Sequence, residues 1–132
     1  MPESDDFEQL KRRFIIEDRM YEAERWKNDL VKLLQYSKIT KKGRVLVLAD
    51  GLEDKDRVGL VLVSRLIGNR LDNNISNSIN IAEIVDCLEL DVQTVNRCVK
   101  ELVDEGFATI PDRNICLAVH NKVKDFLRKL KG

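Results

Sequence analysis

The stretch LDVQTVNRCVKELVDEGFATI, residues 90–110, predicts one helix followed directly by a strand. Asp91 stands at the position of an N-cap, and Gly106 can adopt positive φ where the helix should end. Between them, apolar residues recur at intervals of three and four, which places them on one helical face. The predicted inward positions are Val92, Val95, Val99, Leu102 and Val103, with Cys98 at their edge. We therefore expect a helix over residues 92–105 with this face in the core.

A shorter helix is predicted immediately before this one. In IAEIVDCL, residues 81–88, the apolar residues again share one face, and Asn80 can act as the N-cap. The connection ELDV, residues 89–92, has room only for a tight turn. Two helices joined by a turn of about four residues, the second helix being longer, form a helix-turn-helix.

The residues after the longer helix predict a β-hairpin. FATI, residues 107–110, and ICLAV, residues 115–119, are short apolar runs, and PDRN between them contains the Pro and Asn typical of turns. A hairpin in this position forms a wing beside the helix-turn-helix. The closing segment, residues 120–132, predicts a basic helix.

The N-terminal half predicts two further helices and a short strand. Residues 5–36 contain no Gly or Pro, and their apolar residues keep helical spacing, so we expect one long amphipathic helix. A short strand over residues 45–48, or a small hairpin that starts at Ile39, should follow. An apolar core helix is expected over residues 57–72.

The long first helix suggests a homodimer. At about 1.5 Å per residue it would extend about 45 Å, which exceeds one side of a small domain. Part of its apolar face is therefore expected to pack on a second subunit. The alternative is that the helix breaks, or folds back, onto its own domain. We divide the chain into an N-terminal helix, residues 1–37, and a compact domain, residues 38–132.

Residues 57–118 resemble the winged helix-turn-helix domain of prokaryotic transcription regulators. The most specific similarity is VNRCVKELVDEGF, residues 95–107, at the end of the second helix. The lead-in KKGRVLVLADGLEDKDRVGLVLVSRLIG, residues 41–68, is similar to archaeal winged-helix proteins. The resemblance covers about half of the chain. It implies a mainly α fold, with a three-helix core and a β-hairpin wing, to which the N-terminal amphipathic helix and a C-terminal helix are added.

The face of helix 92–105 opposite its apolar residues carries side chains suited to DNA. Gln and Asn match adenine, Arg matches guanine, and Lys and Thr reach phosphate oxygens. The candidate DNA-binding residues are Gln93, Thr94, Asn96, Arg97 and Lys100, with Arg113 at the tip of the wing 107–118. Further phosphate contacts are expected from Lys41, Lys42, Arg44, Lys122 and Lys124. A solvated charged surface explains these basic runs equally well.

Acidic residues around the two helices oppose this interpretation. Within residues 80–105 only Arg97 and Lys100 are basic, and acids near a phosphate backbone repel it. The acids are Glu83, Asp86, Glu89, Asp91, Glu101, Asp104 and Glu105. Winged helices also serve as protein-binding modules. The alternative function is therefore docking of another protein, with Glu83, Asp86, Glu101 and Asp104 as the contact.

Composition and motifs exclude several other classes. The chain has 23 basic and 23 acidic residues, so it has no overall basic field. It has no apolar run that could span a bilayer and no signal-peptide pattern at its start, so we expect a cytoplasmic protein with no membrane contact. The three cysteines are expected to be buried, reduced thiols, because their spacing fits neither disulfides nor a metal motif. Without catalytic motifs and with a single His, we expect no enzyme activity, no metal and no cofactor.

These observations together predict a cytoplasmic transcription regulator that binds double-stranded DNA. It should dimerise through its terminal helices and read DNA with helix 92–105 and the wing 107–118. The second hypothesis is a winged-helix module that binds a protein partner and does not bind DNA.

Overall fold

The computed structural model describes residues 6–15, 18–112, 115–118 and 120–130, with residues 18–25, 112, 115–117 and 120 described by their backbone alone. Over these ranges the chain is mainly helical, as expected, with additional short antiparallel strands. The helices are α1 (Phe7–Phe14), α2 (Asp18–Leu33), α3 (Asp54–Leu71), α4 (Ile81–Leu88), α5 (Val92–Asp104) and α6 (Val123–Lys129), which follows a 3₁₀ turn (His120–Lys122). The strands are β1 (Ser37–Ile39), β2 (Val45–Val47), β3 (Ile79–Asn80), β4 (Ala108–Asp112) and β5 (Ile115–Ala118).

The strands form two antiparallel sheets within the described ranges. β1 pairs with β2, with Ile39 opposite Val45, so the small hairpin forms and not the single strand that was the other expectation, and its first strand begins earlier, at Ser37. β4 pairs with β5, with Ala108 opposite Ala118, so the hairpin expected after the longer helix is also present. The sequence did not predict β3, which pairs with β5 through Ile79 and makes this sheet three-stranded. A strand of two residues is too short to show an alternating pattern.

Helix α3 lies at the centre of the core. All of its residues from Val58 to Gly68 are buried, because α2, α4, α5, β1, β2 and β5 all contact it. Apolar side chains on every side of a helix are typical of one without a solvent face. At Gly59 the absence of a side chain admits an aromatic ring, since a Cβ there would lie 2.5 Å from Cε1 of Phe126 in α6. The C-terminal helix can therefore pack directly on the backbone of α3.

Arg65 is the one charged residue in this buried stretch of α3 and is only 6% exposed. Its guanidinium donates hydrogen bonds to the carbonyl oxygens of Gly43 (3.1 Å), Ser76 (2.7 Å) and Ser78 (2.8 Å). It also forms an ion pair with Glu83 of α4, at 3.3 Å. One side chain thus holds the β1–β2 turn, the α3–β3 loop and the start of α4 against the core helix.

The N-terminal segment forms two helices, so the prediction of one continuous helix over residues 5–36 is wrong. α1 ends at Phe14, and Ile15 adopts an extended conformation with φ −104° and ψ 109°. The next described helix begins at Asp18. The break coincides with two consecutive isoleucines in the sequence, and β-branched residues lower helix propensity.

The two N-terminal helices differ in their packing. α2 contacts α3 and α6, and its Trp26 and Leu33 are buried in the core. The hydroxyl of Tyr36, just after α2, donates a hydrogen bond to the carbonyl of Leu130 at 2.8 Å, which ties this segment to the end of α6. α1, in contrast, has no buried residue. Only the second part of the N-terminal segment is therefore anchored to the core described here.

We expect Arg65→Met to lower the free energy of unfolding by about 3 kcal/mol, because three carbonyl groups lose a charged donor in a largely buried position. Equilibrium unfolding in urea measures the change. Arg70→Met is the control, because Arg70 is exposed in the last turn of the same helix. Its effect should stay below about 0.5 kcal/mol. Equal losses for the two variants would show that the hydrogen bonds of Arg65 do not stabilise the fold.

Candidate nucleic-acid interface

The connection between α4 and α5 is defined by local capping. Asn80 and Glu83 form a capping box at the start of α4, in which the Glu83 amide donates to the Asn80 side chain at 2.8 Å. Glu89 then takes a left-handed conformation with φ 56°, which ends α4. The Asp91 carboxylate accepts a hydrogen bond from the Thr94 amide at 2.7 Å and caps α5. Both caps and the tight turn predicted from the sequence are confirmed.

The buried face of α5 packs on α3 and α4 and consists of Val95, Cys98, Val99 and Leu102. Two predicted positions require correction. Val92 is 52% exposed, because the first turn of α5 extends beyond the core, whereas it was predicted to face inward. Cys98 lies inside the core at 1% exposure, not at the edge of the apolar face. Burial also raises the pKa of its thiol, which therefore stays neutral.

Most of the candidate DNA-binding side chains are exposed on the opposite face of α5. Gln93, Asn96, Arg97 and Lys100 are exposed, and Thr94 is partly buried beside the N-cap. Gln93, Arg97 and Lys100 follow one another at intervals of four and three residues, so they form a continuous row along the helix. Asp104 continues the same row one turn later. Arg113 lies outside the described residues.

Three of the seven acids between residues 80 and 105 form ion pairs with basic residues from other elements. Glu105 accepts a hydrogen bond from Lys55 of α3 at 2.6 Å, and this contact raises the pKa of Lys55. Arg44, before β2, binds the carboxylate of Asp86 in α4, which raises the pKa of the guanidinium. Glu83 pairs with Arg65 as described above. The pairing partly compensates the acidic excess of α4 and α5.

Three of the expected phosphate contacts lie in two separate places on the surface. Lys41 and Lys42 are exposed in the β1–β2 turn, which Arg44 connects to α4 through Asp86. Lys122 lies near the C-terminal end of α5, since a Cβ on Gly106 would be 4.0 Å from its Cε. These three lysines are exposed.

The other two expected phosphate contacts already bind acids within the chain. Arg44 binds Asp86, and Lys124 forms an ion pair with the buried Asp29 of α2 at 3.8 Å. Both basic side chains are about half exposed, so they retain access to solvent. A phosphate would have to compete with these internal carboxylates, which makes them weaker candidates than Lys41, Lys42 and Lys122.

The sequence interpretation missed the structural role of Arg65 and of Lys55. A signal for Arg65 was present, because it is the one charged residue in an otherwise apolar stretch of helix, and such a residue needs polar partners when buried. Lys55 gave no comparable signal. Its partner Glu105 lies 50 residues further along the chain, and only the packing of α3 against α5 brings the two together.

The described residues form neither a metal site nor a membrane-spanning helix. Within them, no group of three or more His, Cys, Asp or Glu side chains is arranged to hold a metal ion. Cys87 and Cys98 are free thiols. The side chains of Cys116 and His120 are not among those that the structure describes. No described helix combines the length and apolar character needed to cross a bilayer.

Comparison with known proteins does not identify a family for this chain. No protein-family model matches it, and neither curated proteins nor solved structures provide a match. Its candidate interface is therefore defined by geometry and charge alone.

The Asp91 cap should give α5 a specific pH dependence. The hydrogen bonds from the backbone and side chain of Thr94 lower the pKa of Asp91. A carboxylate with a lowered folded-state pKa contributes stability above its unfolded pKa of about 4, and loses this contribution as the pH falls through the folded-state value. Asn caps helices about as well as Asp but does not titrate. We therefore expect Asp91→Asn to leave stability at neutral pH nearly unchanged and to flatten its decline in acid.

Measurement of the free energy of unfolding from neutral to acid pH tests this expectation. Asp50→Asn, at an exposed carboxylate between β2 and α3, is the control and should keep the slope of the parent chain. If Asp91→Asn also keeps that slope, the charged cap does not contribute to the acid transition.

Proposed function

We propose that this chain is a cytoplasmic transcription regulator with a winged helix-turn-helix fold. In this proposal α5 is the recognition helix in the major groove, the β4–β5 hairpin is the wing, and the protein binds duplex DNA as a homodimer. It acts by binding and performs no catalysis. Two recognition helices related by a twofold axis would read half-sites about 34 Å apart.

The exposed polar row on α5 is the observation that carries the proposal. Gln93, Arg97 and Lys100 follow one face of a helix whose other face is buried, and the helix is entered by a capped tight turn and followed directly by a hairpin. In a helix-turn-helix, the N-terminal residues of the second helix contact base edges. A bidentate Arg contact to guanine is the commonest specific interaction of this kind.

Two exposed apolar residues fit the same orientation. Val92, at the start of α5, is 52% exposed, and Ile110 in β4 is 48% exposed. A small apolar side chain at the start of a recognition helix can contact the methyl group of thymine. The part of α5 that extends beyond the core therefore presents an apolar side chain suited to such a contact.

The ion pairs around α5 reduce the electrostatic objection. Arg44, Lys55 and Arg65 compensate Asp86, Glu105 and Glu83, and Asp91 is used as a cap. Glu101 and Asp104 remain exposed in the C-terminal half of α5, where Asp104 extends the polar row, and Glu89 is exposed in the turn before α5. Lys41 and Lys42 in the β1–β2 turn and Lys122 near the C-terminal end of α5 provide exposed positive charge. Phosphate contacts of this kind supply affinity without sequence preference.

The same ion pairs disfavour the alternative, in which a partner protein docks on an acidic surface. Of the four acids expected to form that surface, Glu83 and Asp86 already bind arginines of this chain. A basic partner would have to displace these internal contacts. DNA binding through the polar row requires no such exchange.

Arg97→Ala and Lys100→Ala test the proposal. We expect Arg97→Ala to cost about 1–3 kcal/mol of binding free energy, roughly a five- to 150-fold loss of affinity for the preferred duplex, and to relax its sequence preference. Lys100→Ala should weaken binding to all duplexes similarly and lower the slope of log K against log salt by about 1. Arg12→Ala removes an equal charge from the polar side of α1 and is the control.

Selection of bound duplexes from a random library, followed by titration at several salt concentrations, provides the measurement. Binding that depends on salt and is weakened by the two α5 variants, but not by Arg12→Ala, supports the proposal. A chain that binds no duplex at low salt, or whose binding is the same in all three variants, would contradict it.

A further inference from the structure

α1 exposes an apolar face that the described part of the chain does not cover. Every residue from Asp6 to Ile15 is exposed, including Phe7 at 73% and Phe14 at 87%. Phe7, Leu10 and Phe14 are spaced by three and four residues, so they lie on one side of the helix. Exposed aromatic residues gathered on one face are typical of an interaction surface. A helix of eight residues also needs packing, because such short helices are marginal in water.

An apolar groove lies elsewhere on the surface, between α2, β1 and α3. Its lining includes Leu33, Leu34 and Ile39 on one side and Ile67, Gly68 and Leu71 on the other. Gly68 allows β1 to approach α3, since a Cβ there would lie 3.1 Å from Cδ1 of Ile39. Leu34 is 52% exposed and Leu71 is 46% exposed at the margins. The groove is therefore open to solvent, yet its walls are mostly apolar.

The groove has the size for an aromatic side chain and a neighbour. Its volume is about 270 Å³. An apolar protein cavity of about 150 Å³ accommodates benzene. One phenylalanine ring of α1, together with Leu10, therefore fits inside the groove, and the other ring would lie over its exposed apolar margin at Leu34 and Leu71. A drug-sized ligand generally occupies a larger pocket, of about 300–1,000 Å³.

Charge favours one orientation of α1 in the groove. Lys38 lines the groove, and Lys27, Lys32 and Arg70 are exposed on the helices that form it. The N-terminal end of α1 is acidic, with Asp6 and Glu8 beside Phe7, whereas its last turn is basic, with Lys11, Arg12 and Arg13. The acidic end of α1 is therefore the end that would face the basic margin of the groove.

We propose that α1 of one subunit binds the groove of a second copy of this chain, and that α1 of the second copy binds the groove of the first. This contact would be the interface of the homodimer named under the proposed function. It rests on that function only in assuming a homodimer, and not in assuming DNA binding. The groove of the described chain is not occupied by the α1 helix of the same chain, because all residues of that helix are exposed. The reciprocal exchange is closed and twofold symmetric, so it generates a dimer and not a filament.

The area of the contact supports a reciprocal dimer. A buried aromatic side chain covers about 150–250 Å². With Phe7 and Phe14 at their present exposure, and Leu10, Ile15, Leu34 and Leu71 added, one contact covers roughly 650 Å² of apolar surface. Stable interfaces bury about 1,200–2,000 Å² in total. One contact falls short of this range, whereas two reciprocal contacts reach it.

Paired variants in the full chain test the proposal. Phe14→Glu places a charge on the apolar face of α1, and Leu34→Glu places one at the margin of the groove. Leu48→Glu is the matched control, because Leu48 is also 52% exposed but follows β2 and does not line the groove. Gln9→Glu, on the polar side of α1, is the control for Phe14→Glu. Analytical ultracentrifugation measures the dissociation constant of the dimer, and circular dichroism verifies that each variant is folded.

We expect a dimeric parent chain, a dissociation constant raised at least tenfold in Phe14→Glu and in Leu34→Glu, and little change in both controls. A mixture of Phe14→Glu with Leu34→Glu should associate more tightly than either variant alone, because the heterodimer contains one intact contact. Pairing of α1 with α1 would leave Leu34→Glu dimeric, and this result would overturn the proposal. A parent chain that stays monomeric up to millimolar concentration would overturn it as well.

Duplex binding by the same variants separates this inference from the proposed function. A dimer with the expected variant pattern that binds no duplex would contradict DNA binding but leave the interface intact. A monomeric chain that still binds duplex DNA through Arg97 and Lys100 would contradict the interface and the homodimer but leave DNA binding by α5 intact.

Discussion

The burial of α3 on all sides is the constraint on which the rest of the structure depends. Its stretch from Val58 to Gly68 contacts both sheets and three other helices through packed side chains, and α6 closes over Gly59. The elements that contact α3 bury apolar side chains against it. The packing of α5 through Val95 and Val99 therefore also determines which side of α5 points to solvent. The candidate interface is a consequence of core packing.

Basic side chains also hold together segments that are distant in sequence. Arg65 connects α3 to the β1–β2 turn, the loop before β3 and α4, while Lys55 connects α3 to the end of α5. These contacts have two effects. They satisfy polar groups at the margins of the core, and they compensate part of the negative charge of α4 and α5. The polar network that positions these two helices is thus also the network that reduces the electrostatic objection to the DNA binding that we propose.

The candidate interface was predictable where local chemistry decides conformation. The caps at Asn80 and Asp91 depend on side chains within three residues of the amides that they bind, so the sequence alone indicated them. The exposed row on α5 followed from helical periodicity. The exposure of Val92 and the depth of Cys98 were not predictable, because they depend on how far α3 and α4 extend along α5. Periodicity identifies a face of a helix but not where its neighbours end.

The sequence by itself determined the mainly helical class, both hairpins, the helix-turn-helix order of α4 and α5, and the polar character of one face of α5. These properties depend on interactions between residues close together in the chain. Tertiary structure decided which part of the N-terminal segment packs on the core, the ion pairs of Arg44 and Lys55, and the apolar groove beside Gly68. Each of these depends on which distant surfaces meet. A sequence pattern does not give the distances between such surfaces, because these distances are determined by how the elements pack around α3.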